Sequence, residues 1–261
     1  MYAMERQELV ERLLRDEGRV SVVDLARRFD VTTETVRRDL DHLESVGRLR
    51  RVHGGAVALE RGSTAEPTLG ERLQRHSDAK LAIAGRAVRA LGADFRGSVY
   101  FDAGTTTAAV AALVPGHLAA TGGAAELVTH SMAIAADLAG APDVALSVVG
   151  GRVRGVTAAA VGAQAIRTIE GLRPDIAFVG TNGVSAGFGL STPDPEEAAV
   201  KSAIVRAARR VVVVADATKF GEELLVRFAG LDEIDVVVTD DAPAADLSAA
   251  LADADVEVVL P

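Results

Sequence analysis

The sequence predicts two unequal domains: a helical head over residues 1–60 and an α/β domain over residues 75–261, joined by a linker over 61–74. Three observations predict this. The chain has 261 residues, more than one ordinary domain. Its charge shifts near residue 60: residues 1–60 hold 11 basic and 12 acidic side chains, and 61–261 hold 17 and 25. Seven apolar or β-branched runs between Val99 and Leu260 alternate with Ala- and Leu-rich stretches, the pattern of a parallel sheet covered by helices.

The head reads as three helices and a hairpin. Glu5 to Glu17 carries Leu9, Val10, Leu13 and Leu14 as one stripe and stops at Gly18. Ser21 caps a short helix with Val23, Leu25, Ala26 and Phe29. Thr32 or Thr33 caps a third, with Val36, Leu40 and Leu43 on one face and an end at Gly47. Two short apolar runs then flank Gly54-Gly55, a hairpin signal. Three helices and a hairpin make a winged helix-turn-helix. At about 100° per residue, burying Val36, Leu40 and Leu43 turns Glu34, Arg38, Asp41 and Ser45 outward. Thr33, Thr35 and Arg37 flank that face near the end of the helix that reads bases in a major groove. Arg37 and Arg38 suit guanine or phosphate, and Thr32, Thr33 and Thr35 suit phosphate and thymine. Arg50, Arg51 and His53 follow on the hairpin, beside Arg48. The same arginines also fit a solvated face, with Arg37 and Asp41 as an i, i+4 pair.

The linker segment Glu60 to Gly70 has no periodicity. Beyond it the strand-like runs are Val99–Phe101, Leu127–Thr129, Val144–Val149, Ile176–Val179, Val211–Val214, Val236–Thr239 and Val256–Leu260. Five are followed by polar or Gly-rich loops: Asp102 to Thr107, Thr129-His-Ser131, Gly150-Gly-Arg152, Gly180-Thr-Asn-Gly183 and Asp216-Ala-Thr-Lys219. In an open α/β sheet such loops converge beyond the carboxyl ends of the strands, where ligands bind. Asp102, Gly104, Thr105 and Thr106 open a helix. Close backbone approach at Gly104, two hydroxyls and a helix N-terminus make a phosphate cradle, although a plain Thr-capped helix fits the same residues. It is not a Walker A loop, and Gly150 to Gly155 lacks the dinucleotide spacing. The chain has 25 Arg and three Lys, namely Lys80, Lys201 and Lys219. Lys201 and Lys219 are read as sites needing a compact ammonium, and Lys80 equally as a surface residue.

Composition excludes several classes. With no cysteine there is no disulfide, thiolate metal site or Cys nucleophile. Aromatics at 3% argue against a base-stacking single-strand binder. The net charge of −9 means no basic tail coats nucleic acid, but one local basic surface is enough for DNA. Nine charges in the first 20 residues leave no signal-peptide core. The uncharged run Ala103 to Ala125 is broken by Pro115 and His117 and does not span a bilayer. A cytoplasmic protein with no membrane partner, metal or cofactor is expected.

The motifs Arg19-Val-Ser-Val-Val-Asp-Leu-Ala26, Val31-Thr-Thr-Glu-Thr-Val-Arg-Arg-Asp-Leu40 and Arg50-Arg-Val-His-Gly-Gly-Ala56 resemble the DeoR family of bacterial transcription regulators. Phe101-Asp-Ala-Gly-Thr-Thr106, Val148-Val-Gly-Gly-Arg152, Gly180-Thr-Asn-Gly183, Thr192 with Glu196, Glu197 and Lys201, and Asp216-Ala-Thr-Lys-Phe220 extend the resemblance over almost the whole chain. It implies a sensor domain similar in fold to ribose-5-phosphate isomerase and glucosamine-6-phosphate deaminase. Asp102, Gly104, Thr105 and Thr106 would hold an effector phosphate or its neighbouring hydroxyls. His130, Gly151, Asn182, Glu197, Lys201, Asp216 and Lys219 would line the rest of the pocket. One departure is His130, where the family usually has Asn. An imidazole there brings pH sensitivity or a changed sugar preference, or simply substitutes as a hydrogen-bonding group.

The expected function is therefore a repressor that binds double-stranded operator DNA as a homodimer or homotetramer and is released by a phosphorylated sugar. The opening Met1-Tyr-Ala-x-Glu-Arg-Gln7 together with Thr32-Thr-Glu-Thr-Val-Arg-Arg38 resembles fructose-operon repressors of high-GC Gram-positive bacteria, which implies fructose 1-phosphate. Tagatose, galactitol and deoxyribose phosphates remain alternatives. A sugar-phosphate isomerase or deaminase using Glu197 and Asp216, and an activator built from the same parts, are the competing functions.

Overall fold

The computed structural model describes residues 3–17, 19–52, 54–58, 63–64, 66–141 and 144–261. The chain divides into two compact units, Met1–Gly62 and Ser63–Pro261.

In the first unit the elements run α1 (Ala3–Glu17), β1 (Arg19–Ser21), α2 (Val22–Phe29), α3 (Thr33–Ser45), β2 (Leu49–Val52) and β3 (Gly55–Ala58). The expected helix stop at Gly18 lies outside the described residues. Val10, Leu13, Leu14, Leu25, Val36, Leu40, Leu43 and Leu49 meet in one core, as the helical spacing requires. Each of α2 and α3 starts at a side-chain cap. Ser21 Oγ accepts from the Asp24 N–H at 3.2 Å, and Thr32 Oγ1 from the Thr35 N–H at 3.2 Å, so Thr32 and not Thr33 is the cap. The sheet has a third strand beyond the expected hairpin: β1 pairs with β3 on the side opposite β2. The two hairpin glycines have separate jobs. Gly54 holds φ at +80°, and a Cβ on Gly55 would sit 2.0 Å from the Val20 carbonyl oxygen, so only glycine lets β1 close on β3.

The second unit runs α4 (Leu69–Gln74), α5 (Ser77–Ala87), β4 (Arg96–Phe101), α6 (Thr105–Thr121), β5 (Ala124–Thr129), α7 (Met132–Leu138), β6 (Ala145–Val148), β7 (Arg152–Arg154), β8 (Ala159–Val161) and α8 (Ala163–Glu170). It continues with β9 (Ile176–Gly180), β10 (Gly183–Ser185), β11 (Gly189–Thr192), α9 (Pro195–Ala207), β12 (Val211–Val214), β13 (Val226–Ala229), β14 (Val236–Val238), α10 (Ala245–Asp253) and β15 (Glu257–Val259). The seven expected strand runs form one sheet in the order β15-β14-β12-β9-β4-β5-β6, parallel at every pairing. Both faces are buried, so the strands alternate between two cores. Tyr100, Ala177, Val179, Val211, Val213 and Val237 pack with α8, α9 and α10. Val99, Phe101, Phe178, Val212, Val214 and Val238 pack with α5, α6 and α7. Phe101 stacks on Phe178 with ring centroids 5.6 Å apart, which locks β4 to β9.

That β4–β9 seam is where the strand order reverses. From β4 the chain adds β5 and β6 on one side, then returns to place β9, β12, β14 and β15 on the other. The crevice at the carboxyl ends of β4 and β9 is the position where open α/β sheets bind ligands.

The segment expected as a linker over 61–74 is structured in its second half. Ser63 onward belongs to the second unit, and α4 opens with a capping box in which Thr68 and Glu71 bond each other's backbone N–H groups. Thr68-x-x-Glu71 is the sequence signature of that box, in a segment whose lack of periodicity reads as a linker.

Candidate DNA interface and effector site

The recognition-helix candidate α3 is anchored from behind. Asp39, on the buried side, takes the Arg6 guanidinium at 2.5 and 3.1 Å and the Gln7 amide at 3.1 Å. This pair fastens α3 to α1, and Asp39 carried no signal beyond its place beside the apolar stripe. The outward face holds Arg37 and Arg38, whose side chains are 54% and 79% exposed. Their ion pairs to Glu34 are loose, at 3.7 and 3.6 Å, and weak where water screens them. Arg37 therefore does not brace Asp41. Asp41 pairs with Arg51, which also donates from Nη1 to the Arg37 carbonyl at 3.3 Å and from its backbone N–H to Glu44 at 2.8 Å. Arg51 thus ties β2 to α3, while Arg50 next to it is exposed. Thr33 is exposed beside the caps, and the Thr32 and Thr35 hydroxyls bond each other at 2.9 Å. His53 lies outside the described residues.

In the second unit the loops after β4, β5, β6, β9 and β12 share one edge of the sheet. Asp102 sits at the seam with no solvent exposure. Its N–H donates to the Phe178 carbonyl at 3.0 Å, and its Oδ2 accepts from the Gly180 N–H at 2.9 Å and from the Lys201 ammonium. Lys201 reaches in from α9, is also buried, donates to the Gly180 carbonyl at 2.8 Å and lies 5.5 Å from the centre of the Phe228 ring. His130 shares a hydrogen bond with the Tyr100 hydroxyl at 3.1 Å and puts Nε2 3.7 Å from Asp102 Oδ1. That is too long for a hydrogen bond, and Oδ1 is a buried acceptor with no hydrogen-bond partner among the described residues. Burial pushes the His130 pKa down to about 4, with Lys201 adding to the effect and Asp102 opposing it, so the imidazole is neutral at physiological pH. Burial and the Asp102 charge both raise the Tyr100 pKa.

The structure therefore brings Asp102, His130 and Lys201 together, and adds Gly180 and Tyr100. The other expected residues lie around this centre. Glu197, one turn before Lys201 on α9, accepts from the Thr157 hydroxyl and from Arg154 at 3.2 Å. Burial raises its pKa against the opposing pull of Lys201. Asp216 is buried, caps its own loop through the Thr218 N–H at 3.2 Å and faces Lys219 at 4.0 Å. Burial works to raise its pKa, but Lys219, Thr218 and His76 bring it below the usual value. Asn182 is half-buried, with its Oδ1 accepting from the Thr192 hydroxyl at 3.0 Å. Thr105 and Thr106 are half-buried in the first turn of α6, behind Gly104, and among the described residues no side chain caps that terminus. Gly151 has a packing reason to be small: a Cβ there would sit 2.9 Å from the Val161 carbonyl oxygen.

Two features were not foreseen. Arg154 pairs with Glu66 at 2.6 Å, Asp194 at 3.2 Å and Glu197 at 3.2 Å. Lys80 is buried, not a surface residue, and its ammonium donates to the carbonyls of Arg72 and Arg75, the latter at 2.5 Å. Its rarity as one of three lysines was the available signal. Among the described residues no group of three acidic, His or Cys side chains is placed to hold a metal ion, and no helix is long and apolar enough to cross a membrane.

A two-unit chain with a helix-turn-helix head and a parallel-sheet unit closed around buried charges is the build of a ligand-responsive DNA regulator. Residues 6–61 match the DeoR-like helix-turn-helix domain, and residues 75–241 match the DeoR C-terminal sensor domain. The chain is 38% identical over 260 residues to the HTH-type transcriptional regulator GlpR of Haloferax volcanii, covering 99% of this chain and 98% of that protein. It is 29% identical over 261 residues to the glycerol-3-phosphate regulon repressor of Escherichia coli K12, covering 100% of both. Ribose 5-phosphate isomerase A of Methanocaldococcus jannaschii aligns over 55% of this chain and 54% of its own, at 16% identity and a TM-score of 0.41. The chain belongs to the DeoR family of transcriptional regulators.

Proposed function

We propose that this regulator represses a sugar-catabolism operon by binding its operator as a homodimer or homotetramer, and that a phosphorylated sugar releases it. The observation that carries the reading is the buried Asp102–Lys201–His130 centre at the β4–β9 seam, beside the uncapped N-terminus of α6. The helix terminus attracts a phosphate, and Asp102 Oδ1, which has no hydrogen-bond partner among the described residues, suits a sugar hydroxyl as donor. In the head, Arg37, Arg38 and Arg50 are exposed cations on or beside α3 and supply the groups that hold phosphates and read guanine. Glu197 and Asp216 are committed to Arg154, Thr157, Thr218 and Lys219, which favours sensing over acid–base turnover. The E. coli relative is by name a repressor, in line with negative control here. Fructose 1-phosphate is the first candidate effector, on the resemblance of the opening residues. Release follows from linkage: the sugar phosphate favours a sensor state whose paired heads no longer match the half-sites.

The test is operator binding by Lys201→Ala and Thr105→Ala proteins with and without fructose 1-phosphate and other sugar phosphates. Both variants are expected to bind the operator as the parent does and to lose release. Normal release in both moves the effector elsewhere.

A further inference from the structure

The proposed effector centre is closed. Asp102, His130 and Lys201 are 0%, 3% and 4% exposed, so a sugar phosphate reaches them only if something opens. The segment Glu66–Arg75 is placed to do so. Its first end is held by Glu66 on Arg154, which also holds Glu197 and Asp194. Its last end is held by Lys80, whose ammonium takes the carbonyls of Arg72 and Arg75 and feels the charges of Asp216 and Lys219. Arg154 lies on β7, just past β6, and Asp216 lies just past β12. The Arg154 guanidinium meets Glu197 one turn before Lys201 on α9, so the segment links the α9 side of the centre to the Asp216 loop after β12.

What holds this segment is polar. None of the residues of α4 is buried, and Leu73 is 55% exposed. Beyond the two cations, its attachments include the hydrogen bond from the Leu69 N–H to the Val156 carbonyl at 3.1 Å and a contact with α6. With none of α4 buried, such a segment detaches without disturbing the sheet.

The geometry points to Glu66–Arg75 as a strap that closes the effector centre and swings away to admit the anionic sugar. This rests on the proposed effector reading for the identity of what enters. The two cations that hold the strap also face the crevice carboxylates Glu197 and Asp216, so a ligand that engages those carboxylates alters the hold, and by reciprocity the hold alters ligand affinity.

The chain has no cysteine and three lysines, which makes the test clean. One variant, Leu69→Cys with Val156→Cys, locks the strap shut when oxidised and frees it when reduced. A second, Glu66→Gln, removes one anchor. The first readout uses no sugar: the rate at which an amine-reactive acylating reagent modifies Lys201 in the full chain, normalised to its rate in the urea-unfolded protein. Relative to the parent, oxidation is expected to slow Lys201 modification at least fivefold, and Glu66→Gln to speed it at least fivefold. Equal rates in all forms overturn the strap, whatever the effector is. The second readout is operator release by fructose 1-phosphate: the reduced protein is expected to release and the oxidised protein to stay bound, recovering on reduction. Equal release by oxidised and reduced protein also overturns the strap. If reduced and parent proteins ignore every sugar phosphate while the acylation rates move as expected, the effector reading falls and the strap stands.

Discussion

Lys201→Met tests the buried centre most sharply. The substitution keeps an unbranched chain of similar length, so little cavity opens, but it removes the ammonium that Asp102 Oδ2 accepts from. Asp102 keeps the Gly180 N–H at 2.9 Å, while its Oδ1 already has no hydrogen-bond partner among the described residues. A buried carboxylate stripped of its partner costs about 3–5 kcal/mol, and the contact of Lys201 with the Phe228 ring adds up to about 2 kcal/mol. The expected loss is therefore about 3–7 kcal/mol in the unfolding of the second unit, read by urea denaturation of the full chain near pH 7.5. Adding Asp102→Asn removes the stranded charge and should recover at least half of the loss, because the two effects belong to one pair. A single-variant loss under about 1 kcal/mol, or a double variant no better than the single, would refute the argument that this ion pair organises the seam.

Four other predictions follow from the same structure. His130 has a folded pKa of about 4 against an ordinary value near 6.5. The unfolded chain therefore binds the proton first, and up to roughly 3 kcal/mol of stability is lost as pH falls from 6.5 to 4. Urea unfolding at pH 7.5 and pH 5 should show a smaller drop for His130→Asn, and equal drops would mean that the imidazole is not buried neutral. Arg38→Ala should weaken operator binding by about 1–3 kcal/mol at fixed salt if it reads a base, and unchanged affinity removes it from the interface. Arg6→Met strands Asp39 beneath α3 and should cost the head about 3–5 kcal/mol, followed by thermal unfolding. Gly55→Ala places a Cβ against the Val20 carbonyl oxygen and should separate β1 from β3. The check is loss of amide protection at Val20 and Ala56, and full protection at both would contradict it.

The sequence was most informative where burial is two-sided and periodic. All seven apolar runs from Val99 to Leu260 lie in one sheet, because a parallel strand buried on both faces must be apolar throughout. Val36, Leu40 and Leu43 are buried on α3, and Ser21 and Thr32 cap their helices, because those signals are local. The strands β1, β7, β8, β10, β11 and β13 have three or four residues each, too few for a period to show. The candidate centre was legible in part. Asp102 and Lys201 were marked by the resemblance, and Lys201 also by the scarcity of lysine, but nothing in the residue order says that they meet across 99 positions. The clusters on Glu197 and on Asp216 are separate for the same reason: one stands at the start of α9 and the other in the loop after β12. Arg154 and Glu66 were invisible, since one arginine among 25 carries no mark of being the one that gathers three carboxylates.

The most direct test of the account is binding of the full-length protein to DNA from its own upstream region at fixed salt, alone and with a panel of sugar phosphates headed by fructose 1-phosphate. The account predicts tight binding without ligand and release by one phosphorylated sugar, with the unphosphorylated sugar inert. Binding that no sugar phosphate disturbs would contradict the sensor reading, and no binding at all would contradict the assignment of Arg37, Arg38 and Arg50 to DNA.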